Sequence, residues 1–172
     1  MERKKIIFFS AVLKHFPEED RPEYLKICEW FFRLSALDNT DEYEFLFKLH
    51  PFESIGVYNN LLKRYGSKVS VDGGDLFEPL LDSRLSIFIS STAIYESLVM
   101  EVPSIEVVPV NFSTSIQLWK WGLTEHAASF EQLSALVLKL STDESYFQST
   151  IEKINSLNSK AFINMGHSSE II

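Results

Sequence analysis

The sequence predicts an α/β fold in which a doubly wound parallel sheet carries helices on both faces. Short apolar segments alternate with helical segments five times within residues 1–110, and such alternation is typical of a parallel sheet with right-handed crossovers. The strand segments are apolar on both faces, as strands in the middle of such a sheet are. We therefore expect a Rossmann-like sheet of about five strands.

The first part of the chain supplies two strands and a helix. Lys4–Ser10 contains the block Ile-Ile-Phe-Phe and predicts the first strand. Pro22–Leu37 places apolar residues at helical spacing behind a proline, which predicts a buried helix. Tyr43–Leu49 predicts the second strand and runs directly into His50 and Pro51. Because proline has no N–H to donate, strand pairing should stop there.

The alternation continues up to residue 110. A helix is predicted over Glu53–Arg64 and is ended by Gly66, and Asp75 is placed to cap a later, short helix. The remaining predicted elements are a strand over Val69–Val71, a helix from Asp75 to Leu81, a strand over Leu85–Ile89, a helix over Thr92–Met100 and a strand over Ser104–Val108.

Beyond residue 110 the pattern loosens. Asn111 to Gly122 shows no clear period, and helices are then predicted around Phe130–Leu140 and Glu144–Leu157. We expect residues 1–110 to form the Rossmann-like core, residues 111–160 to pack on it as helices, and residues 161–172 to form a disordered tail. The sequence shows no interdomain linker and no repeat of fixed period.

Composition and charge exclude several classes of function. The chain has 172 residues, 45% of them hydrophobic, which suffices for one sizeable core. The formal net charge of -8 argues against a broad nucleic-acid surface. Neither a membrane-spanning run nor a secretory signal is present in the sequence. The single cysteine, Cys28, lies in an apolar helical pattern, which indicates a core residue of a cytoplasmic protein.

A hydroxyl-rich segment follows the fourth predicted strand. Ser90, Ser91 and Thr92 lie between this strand and a helix whose first turn contains Glu96. Free amides, the positive end of the helix dipole and small hydroxyls together form an anion site. An ordinary N-cap uses the same residue types. We interpret the segment as a phosphate site because parallel sheets bind ligands at the carboxyl ends of their strands.

His50 and Pro51 reach the same edge of the predicted sheet. A histidine there can donate a hydrogen bond to a phosphate oxygen and, when protonated, add charge, while Pro51 stiffens the turn. Glu96 is placed to bind a ribose diol, with charge compensation at the helix N-terminus as the alternative. The sequence identifies no catalytic base, and the role open to His50 is stabilisation of a leaving phosphate.

Four weaker candidates lie at this edge. Gly73 and Gly74 would let the backbone approach a nucleobase, or they form a tight turn. Lys14 and His15 follow the first strand and would reach a distal phosphate or sugar, or they belong to a mobile polar loop.

The remaining aromatic and histidine residues give no site. Trp119 and Trp121 mark either a partner surface or part of the core. His126 and His167 have no acids or cysteines at metal-ligand spacing. We therefore predict no metal and no cofactor other than the substrate itself.

The strand-end motifs resemble a known family. Phe47-Lys48-Leu49-His50-Pro51, followed by Ile89-Ser90-Ser91-Thr92 and Tyr95-Glu96, resembles the nucleotide-binding C-terminal half of GT-B glycosyltransferases of the bacterial sialyltransferase and polysialyltransferase kind. The CDP-glycerol glycerophosphotransferases are similar. In those families the His-Pro and Ser-Ser/Thr motifs hold the phosphate of a cytidine nucleotide donor. The resemblance implies that role for His50, Ser90, Ser91 and Thr92, and binding of the donor ribose for Glu96.

The resemblance implies the donor-binding half of a glycosyltransferase of bacterial surface or capsule polysaccharide synthesis, with a CMP- or CDP-linked donor in preference to a UDP-linked one. Such enzymes carry the acceptor site and the catalytic acid on an N-terminal domain, and this chain begins where the second domain begins. We therefore expect a separate acceptor-domain subunit, associated with the membrane, and no activity of this half alone.

Two other functions remain open at this point. One is a noncatalytic remnant or regulatory module of Rossmann fold that docks on another protein. The other is half of a UDP-sugar epimerase, because those enzymes share the GT-B architecture.

Overall fold

A computed structural model describes residues 3–112, 114 and 116–161 of the chain. Within these residues, six strands are present: β1 (Lys5–Phe9), β2 (Glu44–Lys48), β3 (Val69–Asp72), β4 (Ser83–Phe88), β5 (Ser104–Val107) and β6 (Glu125–Ala127). All neighbouring strands are parallel, and their order across the sheet is β3-β2-β1-β4-β5-β6. The predicted Rossmann-like fold is confirmed, with six strands where about five were expected.

Six α-helices accompany the sheet in the described part of the chain: α1 (Arg21–Leu34), α2 (Asn59–Tyr65), α3 (Phe77–Leu81), α4 (Ala93–Val99), α5 (Phe130–Thr142) and α6 (Glu144–Ala161). The last of them ends at Ala161, the first residue of the predicted tail. The rest of that tail, residues 162–172, lies outside the described residues.

The two faces of the sheet bury separate hydrophobic clusters because helices cover both. On one face, Phe8 and Phe47 occupy paired positions on β1 and β2, and their rings stack with centroids 5.3 Å apart. This cluster packs against α1, α2 and α5 and includes the fully buried Cys28, as predicted. On the other face, Ile7 and Leu46 belong to a cluster that packs against α3, α4 and α6.

The sixth strand was not expected from the sequence. It has three residues, Glu-His-Ala, and pairs with β5 at the edge of the sheet. So short and polar a segment shows neither an apolar run nor a period of two, which are the signals of a strand. Its pairing is therefore set by the tertiary structure.

The helix predicted over Glu53–Arg64 is shorter than expected. A 3-10 turn over Ile55–Tyr58 precedes α2, and Ser54 accepts a hydrogen bond from the Gly56 amide at 3.3 Å. The Glu53 carboxylate accepts from the Ser54 amide at 3.0 Å. These side-chain bonds to nearby amides compete with helical pairing, so the regular helix begins later.

Candidate functional site

A cleft of about 510 Å³ opens at the carboxyl edge of the sheet and is lined by residues that follow β1, β2, β3 and β4. The sheet order places β1 beside β4, with β2 and β3 on one side and β5 and β6 on the other. The chain therefore leaves these two strands in opposite directions. In open α/β sheets such a switch point creates the crevice in which ligands bind.

The structure brings the main predicted residues together in this cleft. All six line it: His50, Pro51, Ser90, Ser91, Thr92 and Glu96. Of the weaker candidates, His15 and Gly74 also line the cleft. Lys14 and Gly73 are exposed and lie outside its lining. His50 and the segment from Ser90 to Thr92 thus share one surface, although α2, β3, α3 and β4 lie between them in the chain.

His50 is held in a defined orientation. Its backbone N–H donates to the Ser10 Oγ at 2.8 Å, and its Nδ1 accepts a hydrogen bond from the Phe52 amide at 3.1 Å. Because an accepting Nδ1 carries no proton, the neutral ring has its N–H at Nε2. Partial burial and the neighbouring His15 lower the pKa of His50 below its ordinary value, with the Glu53 carboxylate opposing them. At neutral pH the ring is therefore an uncharged donor.

The hydroxyl segment enters the cleft through a strained turn. Ser90 has a φ of 49°, in the left-handed region that residues other than glycine seldom adopt. The Ser91 Oγ accepts a 3.4 Å hydrogen bond from the Ala93 amide, whereas the Thr92 hydroxyl makes no capping bond. The helix that follows has seven residues, shorter than predicted. This segment therefore offers an anion the hydrogen bonds of its amides and hydroxyls, without the dipole of a long helix.

Glu96 carries an unused acceptor. Its Oε2 is buried and has no hydrogen-bond partner among the described residues, although the residue lines the cleft. A buried carboxylate oxygen without a donor is costly. Charge compensation at the start of α4 gives no reason to bury this atom. The Glu96 carboxylate therefore has an acceptor that no described residue uses.

Three residues that the sequence analysis did not assign to the site also shape the cleft. Lys48 is 5% exposed and lines it, and Ser10 holds the His50 amide. The Glu53 Oε2 accepts a hydrogen bond from the Leu13 amide at 2.6 Å, which ties the loop after β1 to the loop after β2. A lone cation at the end of an apolar strand is a signal that points to Lys48. The other two give no such signal.

Tyr24 of α1 anchors the loop after β1 from below. Its hydroxyl accepts from the Ala11 amide and donates to the Ala11 carbonyl, each at 2.9 Å. The Tyr58 hydroxyl, 2.9 Å away, then donates to Tyr24. Burial raises the pKa of both phenols above the ordinary value, so both stay neutral. Since Ala11 lines the cleft, this network sets the position of one cleft wall.

Other predicted features lie outside the cleft lining. Trp121 is exposed, whereas Trp119 is partly buried and stacks on His126 with ring centroids 4.3 Å apart. His167 lies outside the described residues. Within the described ranges, no three His, Cys, Asp or Glu side chains form a group that could hold a metal ion. None of the helices in this part of the chain is long and apolar enough to cross a membrane.

No protein-family model matches the chain, and no curated protein matches its sequence. Solved structures match its fold. A protein from Listeria monocytogenes assigned as a UDP-N-acetylglucosamine 2-epimerase matches 89% of this chain and 39% of its own, with 13% identity and a TM-score of 0.61. The glycotransferase of kitacinnamycin matches 92% of this chain and 38% of its own, with 14% identity and a TM-score of 0.62. The S. aureus MnaA structure with UDP matches 88% of this chain and 40% of its own, with 13% identity and a TM-score of 0.62.

These likenesses show the fold and not the activity, because sequence identity is low. The fold is that of one Rossmann-like half of glycosyltransferase and epimerase structures. The chain spans about two fifths of the length of these structures.

Proposed function

We propose that the cleft binds a nucleotide-activated sugar or alcohol and that the chain is the donor-binding half of a glycosyltransferase or glycerophosphoryl transferase. The observation that supports this most is that one cleft combines hydrogen-bond donors for a phosphate with a buried carboxylate oxygen that has no partner among the described residues. A nucleotide sugar presents both a phosphate and ribose hydroxyls. A single ligand would therefore satisfy both sets of groups.

The phosphate would lie between His50 and the segment from Ser90 to Thr92. The Nε2–H of His50 and the hydroxyls and amides of the segment are all donors. When the bond between the phosphate and the sugar breaks, negative charge grows on the leaving phosphate. Donors that are already oriented stabilise this charge without reorganisation. No residue of this chain is assigned as the catalytic base, which the proposal places on another domain.

The nucleoside would lie towards Glu96 and the β3–α3 loop. The Glu96 Oε2 would accept hydrogen bonds from the ribose diol. Gly74 and Leu76 line the cleft from the β3–α3 loop, and we propose that they face the base. Gly73, which does not line the cleft, would contribute only to the turn.

We propose a CMP- or CDP-linked donor on the basis of the His-Pro and Ser-Ser/Thr motifs. Among the described residues that line the cleft, Lys48 is the one side chain with a fixed positive charge. A single phosphate needs less counter-charge than a diphosphate, which favours a CMP-linked donor within this pair. The second candidate is half of a UDP-sugar epimerase, which is favoured by the likeness to S. aureus MnaA, a structure that contains UDP.

A second unit must supply the acceptor site under this proposal. The matched structures are much longer than this chain, and the proposed partner corresponds to their remaining part. It would be a separate acceptor-domain subunit, attached to the membrane and active in surface or capsule polysaccharide synthesis. A noncatalytic docking module would need no such partner and no nucleotide.

Titration calorimetry with CMP, CDP, UMP and UDP tests the proposal. We expect the wild type to bind cytidine nucleotides more tightly than uridine nucleotides. Loss of one hydrogen bond to a charged group costs about 1.5–3 kcal/mol, so His50→Ala and Ser91→Ala should each weaken binding by roughly 10- to 100-fold. Preference for UMP and UDP would favour the epimerase half. Absence of binding by all four would contradict the proposal and favour the noncatalytic module.

Ser129→Ala is the matched control for Ser91→Ala. Ser129 caps α5 by accepting a hydrogen bond from the Gln132 amide at 3.3 Å, and it lies outside the cleft lining. Loss of a cap costs about 1 kcal/mol of stability. If both variants lose similar stability and neither loses affinity, Ser91 is an ordinary cap.

A further inference from the structure

Lys48 is a buried cation in the wall of the cleft. The residue is 5% exposed, and its side chain is 6% exposed. Side chains alternate along a strand, so Lys48 lies on the same face of β2 as Leu46, which belongs to a cluster with Phe9 and Leu76. Phe9 and Leu76 also line the cleft. The Lys48 side chain is thus removed from water on the face of the sheet that carries this cluster, where a charge is costly unless it is paired.

Asp72 pairs with this cation from the end of β3. The Lys48 Nζ lies 2.5 Å from the Asp72 Oδ2, while the Asp72 Oδ1 accepts a hydrogen bond from the Gly74 amide at 2.8 Å. Both bonds lower the pKa of Asp72, so the carboxylate stays charged. The Asp72 side chain is 43% exposed. Solvent therefore screens the Asp72 carboxylate more than it screens the buried Lys48 ammonium group.

The other titratable groups of the cleft cannot balance an anion. Among the described lining residues these are His15, His50 and Glu96. His50 is neutral at pH 7 because its pKa is lowered, and His15 is exposed to solvent. Glu96 carries no positive charge in either of its protonation states. The positive charge available to a bound anion therefore comes from Lys48.

We propose that Lys48, oriented by Asp72, supplies the counter-charge for the phosphate of the ligand and selects phosphorylated over unphosphorylated nucleosides. This proposal rests on the proposed function, because it identifies the positive charge that would interact with the phosphate of the nucleotide. Asp72 acts as a positioning residue and does not itself contact the ligand.

The test is the affinity ratio of CMP to cytidine, measured by calorimetry. This ratio isolates the contribution of the phosphate, because both ligands carry the same base and ribose. We expect Lys48→Met to weaken CMP binding at least about 10-fold and to leave cytidine binding within about twofold. The dependence of CMP affinity on salt should also become weaker, because one ionic contact is lost.

Lys68→Met is the matched control. Lys68 also forms an ion pair with a carboxylate, that of Asp41, but is not part of the cleft lining. The substitution Lys68→Met changes the net charge of the protein by the same amount as Lys48→Met does. We expect its ratio of CMP to cytidine affinity to equal that of the wild type.

A double variant guards against misfolding, because removal of Lys48 alone leaves Asp72 without its partner. Lys48→Met with Asp72→Asn leaves no unpaired charge, and its ratio should fall as in the single variant. A measurement on the wild type needs no substitution: the ¹³Cε resonance of Lys48 should move on addition of CMP and stay in place with cytidine.

The outcomes separate the two proposals. Suppose that the wild type binds CMP, but that Lys48→Met or the double variant keeps the wild-type ratio, or binds CMP and cytidine with an equal loss of affinity. The role proposed for Lys48 is then wrong, while the proposed function stands. A ¹³Cε resonance that CMP does not move would overturn the role in the same way. If the wild type binds none of CMP, CDP, UMP and UDP, the proposed function fails first and the role of Lys48 fails with it.

Discussion

Removal of one oxygen atom beneath the cleft, in Tyr24→Phe, should destabilise the protein more than most conservative substitutions do. Tyr24 is fully buried. Its hydroxyl satisfies the amide and the carbonyl of Ala11 and accepts from the Tyr58 hydroxyl. A phenylalanine fills the same space but leaves these three buried groups without their partner.

The structure sets the size of the effect. A buried polar group that loses its partner costs about 1–3 kcal/mol, and the three groups here can recover part of this by relaxing towards the cleft. We expect a loss of about 3 kcal/mol in the free energy of unfolding. For a domain of this size that corresponds to a fall in Tm of roughly 6–12 °C. Because Ala11 lines the cleft, the affinity for a nucleotide should fall as well.

Urea unfolding followed by circular dichroism measures this change, with Tyr65→Phe as the matched control. The Tyr65 hydroxyl donates to Glu29 at 3.0 Å near the surface, so its loss should cost less than about 1 kcal/mol. The double variant of Tyr24 and Tyr58 should lose less than the sum of the single variants, since they share one hydrogen bond. If Tyr24→Phe stays within about 0.5 kcal/mol of the wild type, the network does not hold the cleft wall.

Two further substitutions test the local analysis. Glu101 follows α4 and has a φ of 57°, a left-handed conformation that glycine adopts without strain. Glu101→Gly should therefore raise the free energy of unfolding by about 1 kcal/mol. An unchanged free energy in urea unfolding would show that the backbone of Glu101 is not strained. Glu106 is 1% exposed and accepts from the Trp119 amide and the Thr124 hydroxyl, and burial raises its pKa above 4.5. The folded state then holds this proton more tightly than the unfolded state, so Glu106 lowers stability as the pH rises from 4.5 through its folded pKa. Glu106→Gln should remove that slope in urea unfolding at several pH values, and an unchanged slope would show that another group causes it.

The repeated alternation of apolar strands and helices was enough to predict the parallel sheet. The same alternation did not predict the bounds of a strand where tertiary contacts decide them. β4 begins at Ser83, earlier than the predicted Leu85, because the polar Arg84 is buried with partners of its own. The Arg84 Nε donates to the Leu140 carbonyl at 2.9 Å, and its guanidinium pairs with Glu144 at 2.9 Å. Both partners lie far along the chain, so no local pattern reveals them.

The sequence predicted those residues of the candidate site that are polar and directly follow an apolar strand. His50 and the segment from Ser90 to Thr92 follow apolar strands, and parallel strands bring such residues to one edge. Lys48 is the last residue of β2 and does not follow the strand, although its side chain is buried and the residue lines the cleft. Glu53 acts by a hydrogen bond to Leu13, a contact that only the folded chain defines. The roles of these residues in binding stay predictions.

The measurement that tests the central claim most directly is a titration of the ¹⁵N-labelled protein with CMP, followed through its amide resonances. We expect saturable shifts that are largest for the amides of Ser91, Thr92 and His50. A second groove at the amino edge of the sheet, lined by Thr40 and Lys68 among others, should be unaffected. Shifts confined to that groove, or no shifts at millimolar CMP, would contradict the assignment of the cleft as a nucleotide site.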